Sequence, residues 1–218
     1  MSAQAGSAMR VVVIIAHPDD EVLGCGATLA RFADEGHEVR VLLTLRRSDP
    51  RGVAHWARIV EDFTRACAVL GVAPIIADPL LEERAADIQL RELIDEIRPH
   101  VEWSDTVFTH WTGDVHQVHR SVSRAVEIAT RPFRTRRDVY LFEVATSTDQ
   151  AFVQHFSPQM FVSVQANQAQ RALAAMACYG TEVAPGRTVE DLQRCLEQRG
   201  AQIGASHAEA FVVARRFL

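Results

Sequence analysis

Four of the five residues from His17 to Glu21 carry side chains that titrate or bind cations: His17, Asp19, Asp20 and Glu21, with only Pro18 among them. Three carboxylates this close repel one another, and they and the imidazole lose solvation when buried, so a cation or several hydrogen-bond donors must neutralise the run. Almost a hundred residues later the run from His110 to His119 supplies further imidazoles at His110, His116 and His119, together with Asp114. His116 and His119 stand three apart, so a helix beginning near Asp114 aims both from one face. If the two runs meet, His17, Asp20 and His119 offer two imidazoles and one carboxylate. That set suits Zn²⁺ in a hydrolase and leaves a position for water, and it also accommodates Fe²⁺ or another divalent ion.

The elements around these runs have to bring them together. Val11, Val12, Val13, Ile14 and Ile15 are apolar and β-branched at every position, which suits a strand covered on both faces in a parallel sheet. The His17 to Glu21 run follows it directly, at the carboxyl end where open α/β sheets place their ligands. The pattern then alternates. Strands are predicted at 11–15, 39–45, 73–77, 106–109 and 139–144, and helices at 22–36, 54–70, 85–98 and 122–130, with Pro99 following the third helix. The second histidine run lies in the loop 110–118, directly after the fourth strand. Beyond it come a loop at 145–158, a short strand at 160–164, helices at 167–179 and 188–200, and a last strand within 208–217. Such alternation argues for βαβ units with right-handed crossovers in a doubly wound α/β sheet.

Composition sets the outer limits. With 218 residues, 48% of them hydrophobic, the chain can bury one full core, and we expect a single domain at 10–218 after a disordered N-terminal tail at 1–9. The formal net charge of -5 gives no basic field for nucleic acid, although every one of the 23 basic residues is Arg. Cys25, Cys67, Cys178 and Cys195 show no CxxC spacing and read as reduced thiols. No apolar run reaches the length of a membrane span and no signal-peptide core is present at the start. A cytoplasmic protein is expected, with a small-molecule substrate and room for a homo-oligomer.

The Ala16-His-Pro-Asp-Asp-Glu21 run after a buried strand, with His116-x-x-His119 after a later one, resembles the LmbE-like (PIG-L) family of metal-dependent N-acetylglucosaminyl deacetylases. Weaker landmarks extend the similarity over most of the chain: Phe142-Glu-Val-Ala, Phe156-Ser-Pro, Tyr179-Gly-Thr-Glu182 and Ala208-Glu-Ala-Phe211. The resemblance implies a Rossmann-like three-layer fold with a mostly parallel central sheet flanked by helices. It also implies His17, Asp20 and His119 as metal ligands, Asp19 as general base, and His116 as the residue that stabilises or protonates the reacting centre. Three departures stand out. Val118 replaces an Asp usual in the second motif, so support for a ligand is either missing or comes from Asp114. Thr44-Leu45-Arg46 replaces a Thr-Asp-Gly-like turn, and a Lys often found in a later helix has no counterpart.

The function this implies is hydrolysis of a linear amide C–N bond, releasing acetate from an N-acetylglucosamine-type sugar or conjugate. Arg46, His110, Trp111 and Asp114 are expected to touch substrate, and protonated His116 to stabilise the oxyanion. Glu21 is expected as a first-turn or supporting carboxylate rather than a ligand. Two other hydrolytic or binding readings share the same residues: an amidase acting on a non-sugar N-acyl metabolite, and a metal-binding homologue without activity. A dinucleotide site at Gly24-Cys-Gly26 is disfavoured, because polar residues separate it from the strand and Leu29 occupies the third glycine position.

Overall fold

The computed structural model describes residues 8–87 and 89–217. Its seven-stranded sheet runs in the order β3-β2-β1-β4-β5-β7-β6. The strands are β1 (Arg10–Ile15), β2 (Glu38–Arg46), β3 (Ala73–Glu82), β4 (Thr106–His110), β5 (Asp138–Phe142), β6 (Met160–Ser163) and β7 (Ala208–Arg215). β1 to β5 are parallel, and β7 and β6 complete one edge as antiparallel strands. The helices are α1 (Asp20–Asp34), α2 (Pro50–Leu70), α3 (Leu90–Trp103), α4 (Gln117–Ala129), α5 (Ala166–Met176) and α6 (Val189–Ala201). This is the Rossmann-like α/β architecture expected.

β1 lies at the centre because both of its faces are apolar. Val11, Val13 and Ile15 enter the core formed with α1, α2, α5 and α6, whereas Val12 and Ile14 enter the core formed with α3 and α4. Alternate side chains of one strand therefore anchor both helical layers. Strand order reverses between β1 and β4, and a crevice opens beyond their carboxyl ends at such a switch point. The first histidine run leaves β1 there and the second leaves β4.

Several boundaries differ from expectation. Met9 belongs to the fold rather than to a tail, since its carbonyl accepts from Glu38 N at 2.9 Å and its amide donates to His37 Nδ1 at 3.3 Å; residues 1–7 lie outside the described residues. α2 begins at Pro50, because Asp49 accepts from Gly52 N and Pro50 suits a first helical turn. α3 begins five residues later than expected and runs through Pro99. Its buried stripe of Leu93, Ile97 and Val101 outweighs the one backbone bond that Pro99 forgoes. The residues before it form a 3₁₀ turn, Glu83–Ala85, which carries Glu83 toward the site. Gly24 packs where a Cβ would stand 2.3 Å from the Phe142 ring, so the glycine serves helix-to-sheet contact and not a phosphate loop.

Candidate metal centre

α1 starts at Asp20, so Asp19 is its N-cap and Asp20 and Glu21 occupy the first turn, where exposed N–H groups and the helix dipole favour carboxylates. Asp19 adopts φ 102°, ψ -25°. This left-handed residue reverses the chain so that adjacent side chains leave in different directions. Asp20 Oδ2 accepts from His17 N at 2.7 Å and lies 3.7 Å from His17 Nδ1, while its Oδ1 lies 3.4 Å from His119 Nε2. Asp19 instead meets Arg187, whose Nη1 donates to Oδ2 at 3.3 Å.

α4 begins at Gln117 rather than near Asp114, with His116 as its N-cap; the His116 ring nitrogen Nδ1 accepts from Val118 N at 3.3 Å. The three-residue spacing still stacks His116 on His119, with centroids 4.5 Å apart and planes 15° from parallel. His110 stacks on the other face of the group, 4.1 Å from His119. Ring nitrogens of His17, His116 and His119 all lie within 4.8 Å of one another, as do the donor atoms of Asp20, His110 and His119.

Each proposed imidazole ligand has a carboxylate on its far nitrogen. His17 Nε2 lies 2.9 Å from Glu83 Oε2, and His119 Nδ1 lies 3.3 Å from Asp114 Oδ2. A carboxylate behind a histidine fixes the tautomer that turns the other nitrogen toward an ion. Among the described residues, Asp19 Oδ1, Asp20 Oδ1, His110 Nδ1 and both ring nitrogens of His119 are buried without a hydrogen bond, although His119 Nδ1 keeps its ion-pair contact with Asp114. Polar atoms left without hydrogen bonds where Asp20 meets His119 are what a divalent cation would satisfy, and this mix of nitrogen and oxygen ligand atoms suits zinc or iron.

The charges bear on the same point. Burial and the neighbouring Asp20 push Asp19 up to about 7, against the pull of Arg187. Burial likewise pushes Glu21 up to about 8. Burial opposes ionisation of Asp20 as well, but His119 and His110 hold its carboxyl well below the usual range. His119 runs against its own burial: Asp20 and Asp114 raise it to about 9, so without an ion its imidazolium supplies the positive charge the cluster needs. His116 is pushed down to about 4 by burial and by His119. It is therefore neutral near pH 7, and with Nδ1 occupied by the Val118 amide its proton sits on Nε2.

The residues expected at the substrate are placed differently. His110 is fully buried, and its Nε2 accepts from Ala16 N at 3.1 Å, so it lies beneath His119. Asp114 is 1% exposed and accepts from His116 N, Ser147 Oγ and Thr148 Oγ1, so it backs His119 instead of lining a pocket. Trp111 packs edge-on against Phe156. Arg46 lies over Trp56 and near Glu82; its neighbour Arg47 is the one that turns inward, donating to Glu182 Oε2 at 2.7 Å. Sequence reasoning missed Glu83 and Arg187. Neither has a periodic or motif signal; both arrive from turns whose course depends on the folded sheet.

The fold and the cluster together define a Rossmann-like α/β protein with a candidate metal centre at the switch point of its sheet. Residues 12–130 match the GlcNAc-PI de-N-acetylase family, PIG-L, and the chain belongs to that family. It is 30% identical to the uncharacterized deacetylase YaiS of Escherichia coli, over 80% of this chain and 92% of that protein. It is 32% identical to the 1D-myo-inositol 2-acetamido-2-deoxy-alpha-D-glucopyranoside deacetylase of Thermomonospora curvata, over 56% of this chain and 54% of that one, so it spans about half the length of this relative. The conserved protein TT1542 of Thermus thermophilus shares the fold, with a TM-score of 0.72 at 24% identity and 96% of both chains covered. So does GalB, the 4-carboxy-2-hydroxymuconate hydratase of Pseudomonas putida, with a TM-score of 0.69 at 18% identity over 96% of this chain and 98% of that one.

Proposed function

We propose that this chain is a divalent-metal-dependent deacetylase that removes the N-acetyl group from an N-acetylglucosamine-type sugar or sugar conjugate. A hydratase shares the fold, so architecture alone does not choose the reaction. The observation that carries the reading is Asp20 standing between ring nitrogens of His17 and His119, each ring backed by its own carboxylate, with Asp19 buried one residue away. Support for the substrate class comes from the family and from the inositol-sugar deacetylase relative.

His17, Asp20 and His119 would hold the ion, zinc being the first choice from the donor set. When bound, such an ion lowers the pKa of its water toward 7 and polarises a carbonyl oxygen. Asp19 then takes the proton of the attacking water; a base whose pKa lies near the working pH suits that transfer, and its Oδ1 is the oxygen Arg187 leaves without a partner. The acetamide carbon becomes tetrahedral, and its oxygen accepts a hydrogen bond from neutral His116 through Nε2–H. From sequence this contact is expected of protonated His116; either form of the ring donates, and a donor of this type is worth about 3 kcal/mol. Asp19 returns the proton to the nitrogen, the C–N bond breaks, and acetate and a free amine leave.

The test is amine release by zinc-loaded and by chelated protein, from N-acetylglucosaminyl conjugates and from N-acyl amino acids. Release from the sugar conjugates, dependent on metal, is the expected result. Release from the amino acids alone moves the reading to a non-sugar amidase. Bound metal with no release from either class makes the protein a silent homologue.

A further inference from the structure

We infer that Tyr179 and Glu21 form a positioning pair that holds Asp19 in its left-handed backbone conformation and thereby aims its carboxylate. The inference rests on the reading of Asp19 as the base, and neither member of the pair needs to touch substrate.

Asp19 has a positive φ of 102°, a region that strains a residue with a Cβ and persists only where the surroundings enforce it. Its carbonyl is held by Val22 N at 3.1 Å and Leu23 N at 3.0 Å, which any helix start supplies. Its amide is held by something more particular. Asp19 N donates to Glu21 Oε2 at 3.2 Å, and the other oxygen of that carboxylate, Oε1, accepts from the Tyr179 hydroxyl. Glu21 and Tyr179 are both 0% exposed, and they lie 158 residues apart in sequence.

One half of this arrangement is local and the other remote. A buried carboxylate two residues after the N-cap folds back onto that residue's own amide, and the phenol beyond the end of α5 fixes which rotamer it uses. With Asp19 turned this way, its side chain meets Arg187 while that of Asp20, the next residue, meets His119. If Asp19 relaxed to an ordinary N-cap conformation, the two carboxylates would leave the chain in altered directions, and the separation of base from ligand would be lost. The Tyr179 segment runs on to Glu182, the partner of Arg47, so the same stretch of chain secures both the turn and the inward arginine.

The experiment compares full-length Tyr179→Phe, Glu21→Ala and Glu21→Gln with the unaltered protein, by amide hydrogen exchange in NMR and by steady-state kinetics with zinc bound. In Tyr179→Phe and Glu21→Ala, exchange at the Asp19 amide should rise about tenfold or more, the scale of one lost buried hydrogen bond to a carboxylate, while the Val12, Val13 and Ile14 amides of β1 keep their rates. The same two variants should retain their zinc and their KM and lose kcat about tenfold or more. Glu21→Gln keeps an acceptor for Asp19 N and can donate its amide to the Tyr179 oxygen, so it should hold both properties within about threefold. Exchange at Asp19 that stays unchanged in Tyr179→Phe overturns the pair. So does acceleration of the β1 amides by the same factor, which marks general loosening. If the unaltered protein deacetylates nothing, the functional reading falls while the exchange measurement still decides the pair.

Discussion

His17 and His119 have the same local design and opposite settings. Behind His17 stands Glu83, carried on a turn after the edge-side strand β3, its side chain 19% exposed and its second oxygen accepting from Ser48 N at 3.0 Å. Behind His119 stands Asp114, 1% exposed, its two oxygens engaged by one backbone amide and two hydroxyls besides the imidazole. Both carboxylates are held down to about 2, Glu83 chiefly by the bond from His17, and Asp114 by His119 against the effect of burial. Glu83 is partly open to solvent, whereas Asp114 is enclosed. The difference teaches that one wall of the metal centre is part of the core, and the other is an outer wall closed by a turn.

The largest expected effects come from the groups the two walls serve. His119→Ala should lose bound zinc and turnover together, whereas Asp19→Ala should keep the zinc and lower kcat by about 10³–10⁴, the upper range for a general base. Metal analysis beside kinetics separates them, and if Asp19→Ala stripped the zinc, the roles of Asp19 and Asp20 would be exchanged. The next effect addresses the comparison directly. Asp114→Ala should weaken zinc affinity towards about 100-fold and Glu83→Ala towards about tenfold, within the usual span for carboxylates behind metal-bound histidines. Competition with a chromogenic chelator measures both, and equal losses would erase the distinction between the walls.

A pH titration of metal-free protein sharpens the comparison from the side of charge. Asp19, Glu21 and His119 all have folded pKa values raised above their usual ones, to about 7, 8 and 9. Each therefore contributes stability that is present at low pH and lost as pH rises through the folded value. The lowered carboxyls of Asp20 and Asp114 and the lowered imidazoles of His17, His110 and His116 change protonation only below this range. Chelated protein should thus lose melting temperature between about pH 6.5 and 9, and zinc-loaded protein, in which His119 is already deprotonated, should lose less. A chelated protein whose melting temperature rises across that window would contradict the charge assignment. The smallest expected effect is Ser147→Ala, which removes one hydroxyl from Asp114 and should cost about 1 kcal/mol, or about 2–4 °C in melting temperature for a chain of this size.

Much of the fold was legible because it rests on local periodicity. The apolar run from Val11 to Ile15 forecast a strand covered on both faces, and the helices expected at 54–70 and 188–200 end or begin within a residue or so of α2 and α6. The start of α3 was not legible. Ala85, Ala86 and Asp87 are types that a helix accepts, and only the course of the chain out of β3 makes them part of a turn. The site divides in the same way. His17, Asp20 and His119 were visible as metal-binding residue types in two separate runs, and the structure brings both imidazoles within ion-pairing distance of the Asp20 carboxylate. The substrate contacts were read less well, because a polar residue in a loop after a strand can face the crevice or lie under it. His110 and Asp114 lie under it.

The order of residues determined which groups must be neutralised, since three consecutive carboxylates carry their mutual repulsion wherever they are placed. It also determined that a buried parallel strand would end in them. Tertiary structure decided which nitrogen of each imidazole faces inward, which carboxylate stands behind it, and that Asp19 turns away from Asp20 toward Arg187. Those choices depend on partners from distant turns, on Glu83, Asp114, Tyr179 and Arg187, whose approach is fixed by packing across the sheet and leaves no local pattern in the chain.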